Sequence, residues 1–73
     1  MSSHNVLGII GGGQLGSMLC QAAKNLGVKT VIYCNDKDSP AQNYSDSFIY
    51  AEYDNESKIN EFANQVDVVT FEF

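Results

Sequence analysis

Residues Gly11-Gly12-Gly13-Gln14-Leu15-Gly16 stand between an unbroken apolar segment, Val6-Leu7-Gly8-Ile9-Ile10, and a stretch with apolar residues at helical spacing. Leu15, Met18, Leu19, Ala22, Ala23 and Leu26 supply that spacing and predict a helix over 14–26 with one apolar face. The preceding run predicts a buried strand over 5–10. A glycine-rich turn from strand to helix brings bare backbone N–H groups close to a ligand. The positive end of the helix dipole adds to the attraction for an anion. The turn therefore says where a ligand goes, but not which ligand.

The rest of the chain repeats the alternation. Gly27 after Leu26 is a helix stop, and Val28 to Cys34 is β-branched and aromatic enough for a second strand. Ser39-Pro40-Ala41-Gln42 carries a helix-start signal: Ser39 as cap, Pro40 in the first position and Gln42 completing a capping box. A short helix through about Tyr44 follows, then a strand over 47–51. Asp54 is the expected cap of the next helix, with Glu56 in its first turn and Ile59, Phe62, Ala63 and Val66 on its apolar face. Asp67 to Phe71 is a fourth strand.

Alternating strands and helices imply right-handed crossovers and a parallel sheet. The fold class expected is α/β, a Rossmann-like four-stranded parallel sheet of order 3-2-1-4 flanked by helices, spanning residues 1–73 as one domain. Ligands of such sheets bind at the carboxyl ends of the strands where the winding direction reverses. The glycine turn follows strand 1 and Glu72 follows strand 4, so both belong to one crevice. The two phenylalanines of Phe71-Glu72-Phe73 at the end of an uncovered strand suggest the amino-terminal piece of a larger protein.

Composition narrows the partners. The chain has 73 residues and a net charge of −5, with nine acids after residue 30 and none before it. The glycine turn thus lies in the part compatible with an anion, while the overall acidity argues against nucleic acid or an anionic membrane. No segment has the apolar length of a membrane span, and the first residues lack the pattern of a secretion signal. Cys20 and Cys34 are spaced as free thiols of a reducing compartment, which points to the cytoplasm. His4 reads as a terminus residue.

Two classes of cargo fit the crevice. Gly11, Gly13 and Gly16 match the dinucleotide pattern, and Asp36 lies where a ribose-binding acid would follow. That reading makes the chain an NAD(P)-binding domain of an oxidoreductase, or a nucleotide-sensing module. Glu72 counts against it, because a carboxylate beside a pyrophosphate in a cleft of low dielectric is costly. A carboxylate there suits a ligand that offers an amine and at most a monophosphate. From the residues alone, Gln14 can equally begin the helix or contact a ligand. Leu15 can equally be core, and Glu72 can be a solvated end residue. The tyrosines Tyr33, Tyr44, Tyr50 and Tyr53 read as core or surface aromatics rather than stacking platforms.

The run Ile9-Ile10-Gly11-Gly12-Gly13-Gln14-Leu15-Gly16, then Ser39-Pro40-Ala41 and Asp67-Val68-Val69-Thr70-Phe71-Glu72-Phe73, resembles the N5-carboxyaminoimidazole ribonucleotide synthetases. These are the ATPase subunits of phosphoribosylaminoimidazole carboxylase, of the ATP-grasp superfamily. The resemblance implies the pre-ATP-grasp domain of a ligase of purine biosynthesis. Its family reaction takes 5-aminoimidazole ribonucleotide, bicarbonate and ATP to N5-carboxyaminoimidazole ribonucleotide, ADP and phosphate. Carried over, Gly12 and Gly13 would give the nucleotide access to the backbone, Gln14 and Leu15 would contact it, and Glu72 would accept a hydrogen bond from its amino group or ribose. ATP and Mg2+ would be held by ATP-grasp domains outside these residues, so no catalytic residue is expected here and the chain alone is expected to be inactive. The resemblance also implies a homodimer for the complete enzyme. This chain departs from the family at Ser17, where a basic residue is usual, and at Cys34-Asn35, where Asp-Pro is common.

Overall fold

A computed structural model describes residues 5–72, so the readings of His4 and Phe73 lie outside the described residues. The elements are β1 (Val6–Ile10), α1 (Gln14–Asn25), β2 (Lys29–Cys34), a short 3-10 helix (Pro40–Asn43), β3 (Ser47–Tyr50), α2 (Glu56–Ala63) and β4 (Val68–Phe71). The strands form one sheet of order β3-β2-β1-β4, with every pairing parallel. Sheet and order are those expected, and the winding reverses between β1 and β4.

Both faces of the central strands are covered, which is why their sequences are apolar without alternation. On one face Ile9 and Ile32 pack with Cys20, Cys34 and Ala41, beneath α1 and the 3-10 helix. On the other, Val31, Tyr33, Ile49 and Phe62 pack together beneath α2. Two acids tie the amino-terminal ends of the strands: Asp67 Oδ2 accepts from the Val6 N–H and Asp46 Oδ2 from the Thr30 N–H, each at 2.8 Å. Their charge serves strand ends remote from the glycine turn.

Helix α1 buries the expected face at Ala23 and at the partly buried Leu19, but not elsewhere. Its buried residues are Gly16, Ser17, Cys20 and Ala23, while Leu15, Met18 and Leu26 are exposed. The tight turn from β1 brings α1 close to the sheet: a Cβ on Gly16 would lie only 3.1 Å from the Gly11 carbonyl oxygen. Small side chains alone allow that approach, so the larger apolar ones are turned aside. Gly27 does end the helix, with a left-handed φ of 75°.

Three local expectations are corrected. Ser39 makes no capping hydrogen bond, and Gln42 Nε2 donates to the Lys37 carbonyl instead of closing a capping box, so the segment is a single 3-10 turn. The cap of α2 is Asn55, whose Oδ1 accepts from the Lys58 N–H at 3.1 Å, rather than Asp54. That helix ends at Ala63, leaving Val66 to pack from the following loop and Ile59 and Ala63 exposed. Asn55→Ala is therefore expected to lower stability by about 1 kcal/mol in urea unfolding, whereas Asp54→Ala should not.

Candidate functional site

The site is built where β1 ends. Gly11 adopts a φ of 110°, a conformation that glycine takes without the penalty of a Cβ. Its N–H donates to the Tyr33 carbonyl at 2.8 Å, and the Gly12 carbonyl accepts from the Ala41 N–H at 3.1 Å. The turn is thus clipped to the end of β2 and to the 3-10 helix. Next in line Gly13 is the N-cap of α1 and offers no side chain to it, and no acid stands in the first turn. The first N–H groups of a helix have no intrahelical acceptor, so this end remains open to an outside one.

Glu72 closes the other side. Its N–H donates to the Ile10 carbonyl at 3.1 Å, which extends the β1–β4 ladder by one residue and fixes the side chain beside the turn. A Cβ on Gly11 would meet Glu72 Cγ at 2.6 Å, and one on Gly13 would meet the two carboxylate oxygens at 3.2 and 3.3 Å. The crevice inferred from the sequence is therefore present, with carboxylate and glycine turn in contact. Glu72 Oε2 is buried and has no hydrogen-bond partner. Gly11→Ala combines an unfavourable φ with this clash. It is expected to cost about 1–3 kcal/mol in chemical denaturation and to displace Glu72.

Gln14 and Leu15 are both exposed at the start of α1, with Leu15 55% accessible. The reading of Leu15 as core is thereby corrected: both side chains face outward beside the turn. Asp36 lies in the loop after β2, where its Oδ1 accepts from the Asp38 N–H at 3.0 Å and shapes that loop. The fold brings Gly11 to Gly13, Gln14, Leu15 and Glu72 to one edge.

Three further residues at this edge had been read from the sequence without a place in the site: Ser39 as a helix cap, Cys34 as a free thiol and Tyr53 as a core or surface aromatic. Ser39 is 3% exposed, and its Oγ would lie 2.2 Å from a Cβ on Gly12. Cys34 Sγ would lie 3.1 Å from the same Cβ. Tyr53 lies near Cys34: burial pushes its ionisation above the ordinary phenol value, with Cys34 and Glu72 adding to the rise against a backbone hydrogen bond at Asn35. Cys34 ends β2, and Ser39 and Tyr53 lie in the loops after β2 and β3, so all three stand at the carboxyl end of the sheet as Glu72 does, and that position is the signal that could have found them. Cys20 is of another kind. Burial pushes its thiol up, which makes it a poor nucleophile.

Beside the site, on the α2 face, an apolar cavity of about 260 Å³ is lined by Ile10, Tyr33, Tyr53, Ile59, Phe62 and Phe71. Among the described residues no group of three or more His, Cys, Asp or Glu is placed to hold a metal ion, and no helix is long and apolar enough to cross a membrane.

A parallel sheet with a glycine turn, an open helix end and a carboxylate at its reversal point defines an α/β domain with a candidate site for a small polar ligand. The chain belongs to the ribonucleotide synthetase preATP-grasp domain family, whose family model matches residues 4–73. It is 43% identical over 67 residues to the N5-carboxyaminoimidazole ribonucleotide synthase of Staphylococcus epidermidis, covering 92% of this chain and 18% of that protein. Among solved structures it is similar to the N5-carboxyaminoimidazole synthetase of Staphylococcus aureus complexed with ADP, with a TM-score of 0.91, 40% identity and coverage of 100% of this chain and 20% of the other. The N5-carboxyaminoimidazole ribonucleotide synthetase of Thermotoga maritima gives a TM-score of 0.87 at 33% identity, over 94% of this chain and 19% of the other. The chain thus spans about a fifth of the length of the relatives it matches.

Proposed function

We propose that this chain is the acceptor-binding part of an ATP-dependent carboxylating ligase that converts 5-aminoimidazole ribonucleotide and bicarbonate to N5-carboxyaminoimidazole ribonucleotide. The observation that carries this reading is the Glu72 carboxylate lying against Gly13 at the open end of α1. The acceptor ribonucleotide has both groups the site asks for, a monophosphate and a ring amine. Gly12 and Gly13 give it the backbone, Gln14 and Leu15 border it, and Glu72 accepts a hydrogen bond from its amino group or ribose. Holding the amine in one orientation is what a carboxylation at nitrogen requires of this domain. ATP, bicarbonate, Mg2+ and the bond-making residues belong in this reading to further ATP-grasp elements of a longer cytoplasmic enzyme acting as a homodimer.

Titration of the chain with 5-aminoimidazole ribonucleotide, followed by amide NMR, tests the reading. Shifts are expected at Gly12 to Leu15 and Glu72, with none there on adding ATP. Shifts confined to other residues, or micromolar binding of NAD(H), would sink it. The 73-residue chain alone is expected to release no ADP from ATP with ribonucleotide and bicarbonate present, and steady release would contradict the assignment of ATP chemistry to other elements.

A further inference from the structure

Ser39 is buried beneath the glycine turn, yet its hydroxyl has no hydrogen-bond partner. Buried polar groups are paired in the great majority of cases, so an orphan asks for a reason. The backbone around it is already tied into the turn. The Gly12 carbonyl already accepts from the Ala41 N–H at 3.1 Å, which holds that peptide in place. The backbone of Ser39 is itself committed, its N–H to the Asp36 carbonyl and its carbonyl to the Gln42 N–H. A second buried orphan, Glu72 Oε2, stands at the same turn. Ser39 abuts Gly12 and Glu72 abuts Gly13, so the two unpartnered groups flank consecutive glycines at the open end of a 12-residue helix.

The two groups differ in kind. A hydroxyl can donate as well as accept, whereas a carboxylate only accepts. We propose that Ser39 is a ligand-reading residue of this site, and that with Glu72 it sets the direction in which the ligand lies. The acceptor end of the ligand, a phosphate or hydroxyl oxygen, lies over Gly12 on the Ser39 side. The donor end, an amine or hydroxyl, lies over Gly13 on the Glu72 side. In this arrangement the Ser39 hydroxyl donates to that oxygen. This inference rests on the ribonucleotide reading above and adds to it a residue and an orientation.

The signature is a substitution that stabilises the protein and weakens binding. Ser39→Ala removes an unsatisfied buried hydroxyl, so Tm is expected to rise by about 4–8 °C. Affinity for 5-aminoimidazole ribonucleotide, measured by calorimetry on the chain, is expected to fall at least fivefold. Aminoimidazole ribonucleoside, which lacks the phosphate, is expected to lose less affinity on the same substitution than the ribonucleotide does. A fall in Tm would show that the hydroxyl is a structural partner of ordered water, and unchanged affinity would show that it reads nothing. Either result overturns the proposal. Glu72→Gln separates the two readings. If it weakens binding while Ser39→Ala does not, only the role of Ser39 fails; if the wild-type chain does not bind the ribonucleotide, the functional reading itself fails.

Discussion

Glu72→Gln is expected to weaken binding of 5-aminoimidazole ribonucleotide by about ten- to a hundredfold. The substitution keeps a side chain of the same length and a carbonyl acceptor, so it removes little but the charge. A hydrogen bond to a charged group contributes about 1.5–3 kcal/mol, and each 1.4 kcal/mol is a factor of ten in affinity. The geometry makes the loss local. The Glu72 backbone N–H still reaches the Ile10 carbonyl at 3.1 Å, so the ladder survives the change. A dinucleotide ligand gives the opposite sign, because neutralising Glu72 would relieve repulsion of a pyrophosphate at the glycine turn. Calorimetric titration of wild type and variant distinguishes these results. A change within twofold would make Glu72 a strand-end residue with no part in binding.

Loss of stability should be largest at Phe62. It is 3% exposed and is the buried residue of α2, which otherwise presents an accessible surface. Its ring stands edge-on to Tyr33 with centroids 5.5 Å apart, and its Cζ fills the space that a Cβ on Gly8 would enter at 2.7 Å. Phe62→Ala is expected to cost about 3–5 kcal/mol, the range for emptying an aromatic site in a core. Total stabilities of small domains are about 5–15 kcal/mol, and a short chain stands low in that range. The variant should therefore be largely unfolded or lack a docked α2, seen as lost helical circular dichroism and a urea midpoint near zero. Phe62→Leu should retain the fold with a modest loss. A drop of under 1 kcal/mol for the alanine variant would mean that α2 does not hold this face of the sheet.

Much of the architecture was legible because each local signal pointed to the same answer. The apolar runs gave the strands, Gly27 ended α1, and the glycine turn marked the strand-to-helix junction. The order of the sheet followed from the handedness of parallel crossovers, and with it the meeting of Gly11–Gly13 and Glu72 across 60 residues of chain. Local rules failed where two neighbours could play one part. Asp54 and Asn55 are both good helix caps, and only the path of the chain into α2 selects Asn55. Ser39 has the composition of a cap, but packing presses it under Gly12 before it can act as one.

The sequence by itself determined the elements, their parallel order and the edge at which the glycine turn and Glu72 meet. These depend on periodicity, turn residues and chirality, which are properties of short segments. Only the tertiary structure decided which face of α1 is buried and which side chains sit beneath the turn. Hydrophobicity alone favoured Leu15, Met18 and Leu26 for the core. The closeness of helix to sheet instead selected Gly16, Ser17 and Cys20 beside the expected Ala23, and packing set Cys34 and Ser39 against Gly12. The reason is that distance between packed elements is fixed by the smallest contact along them, here Gly16 of α1 against the Gly11 carbonyl in the turn after β1, a contact that local periodicity does not encode.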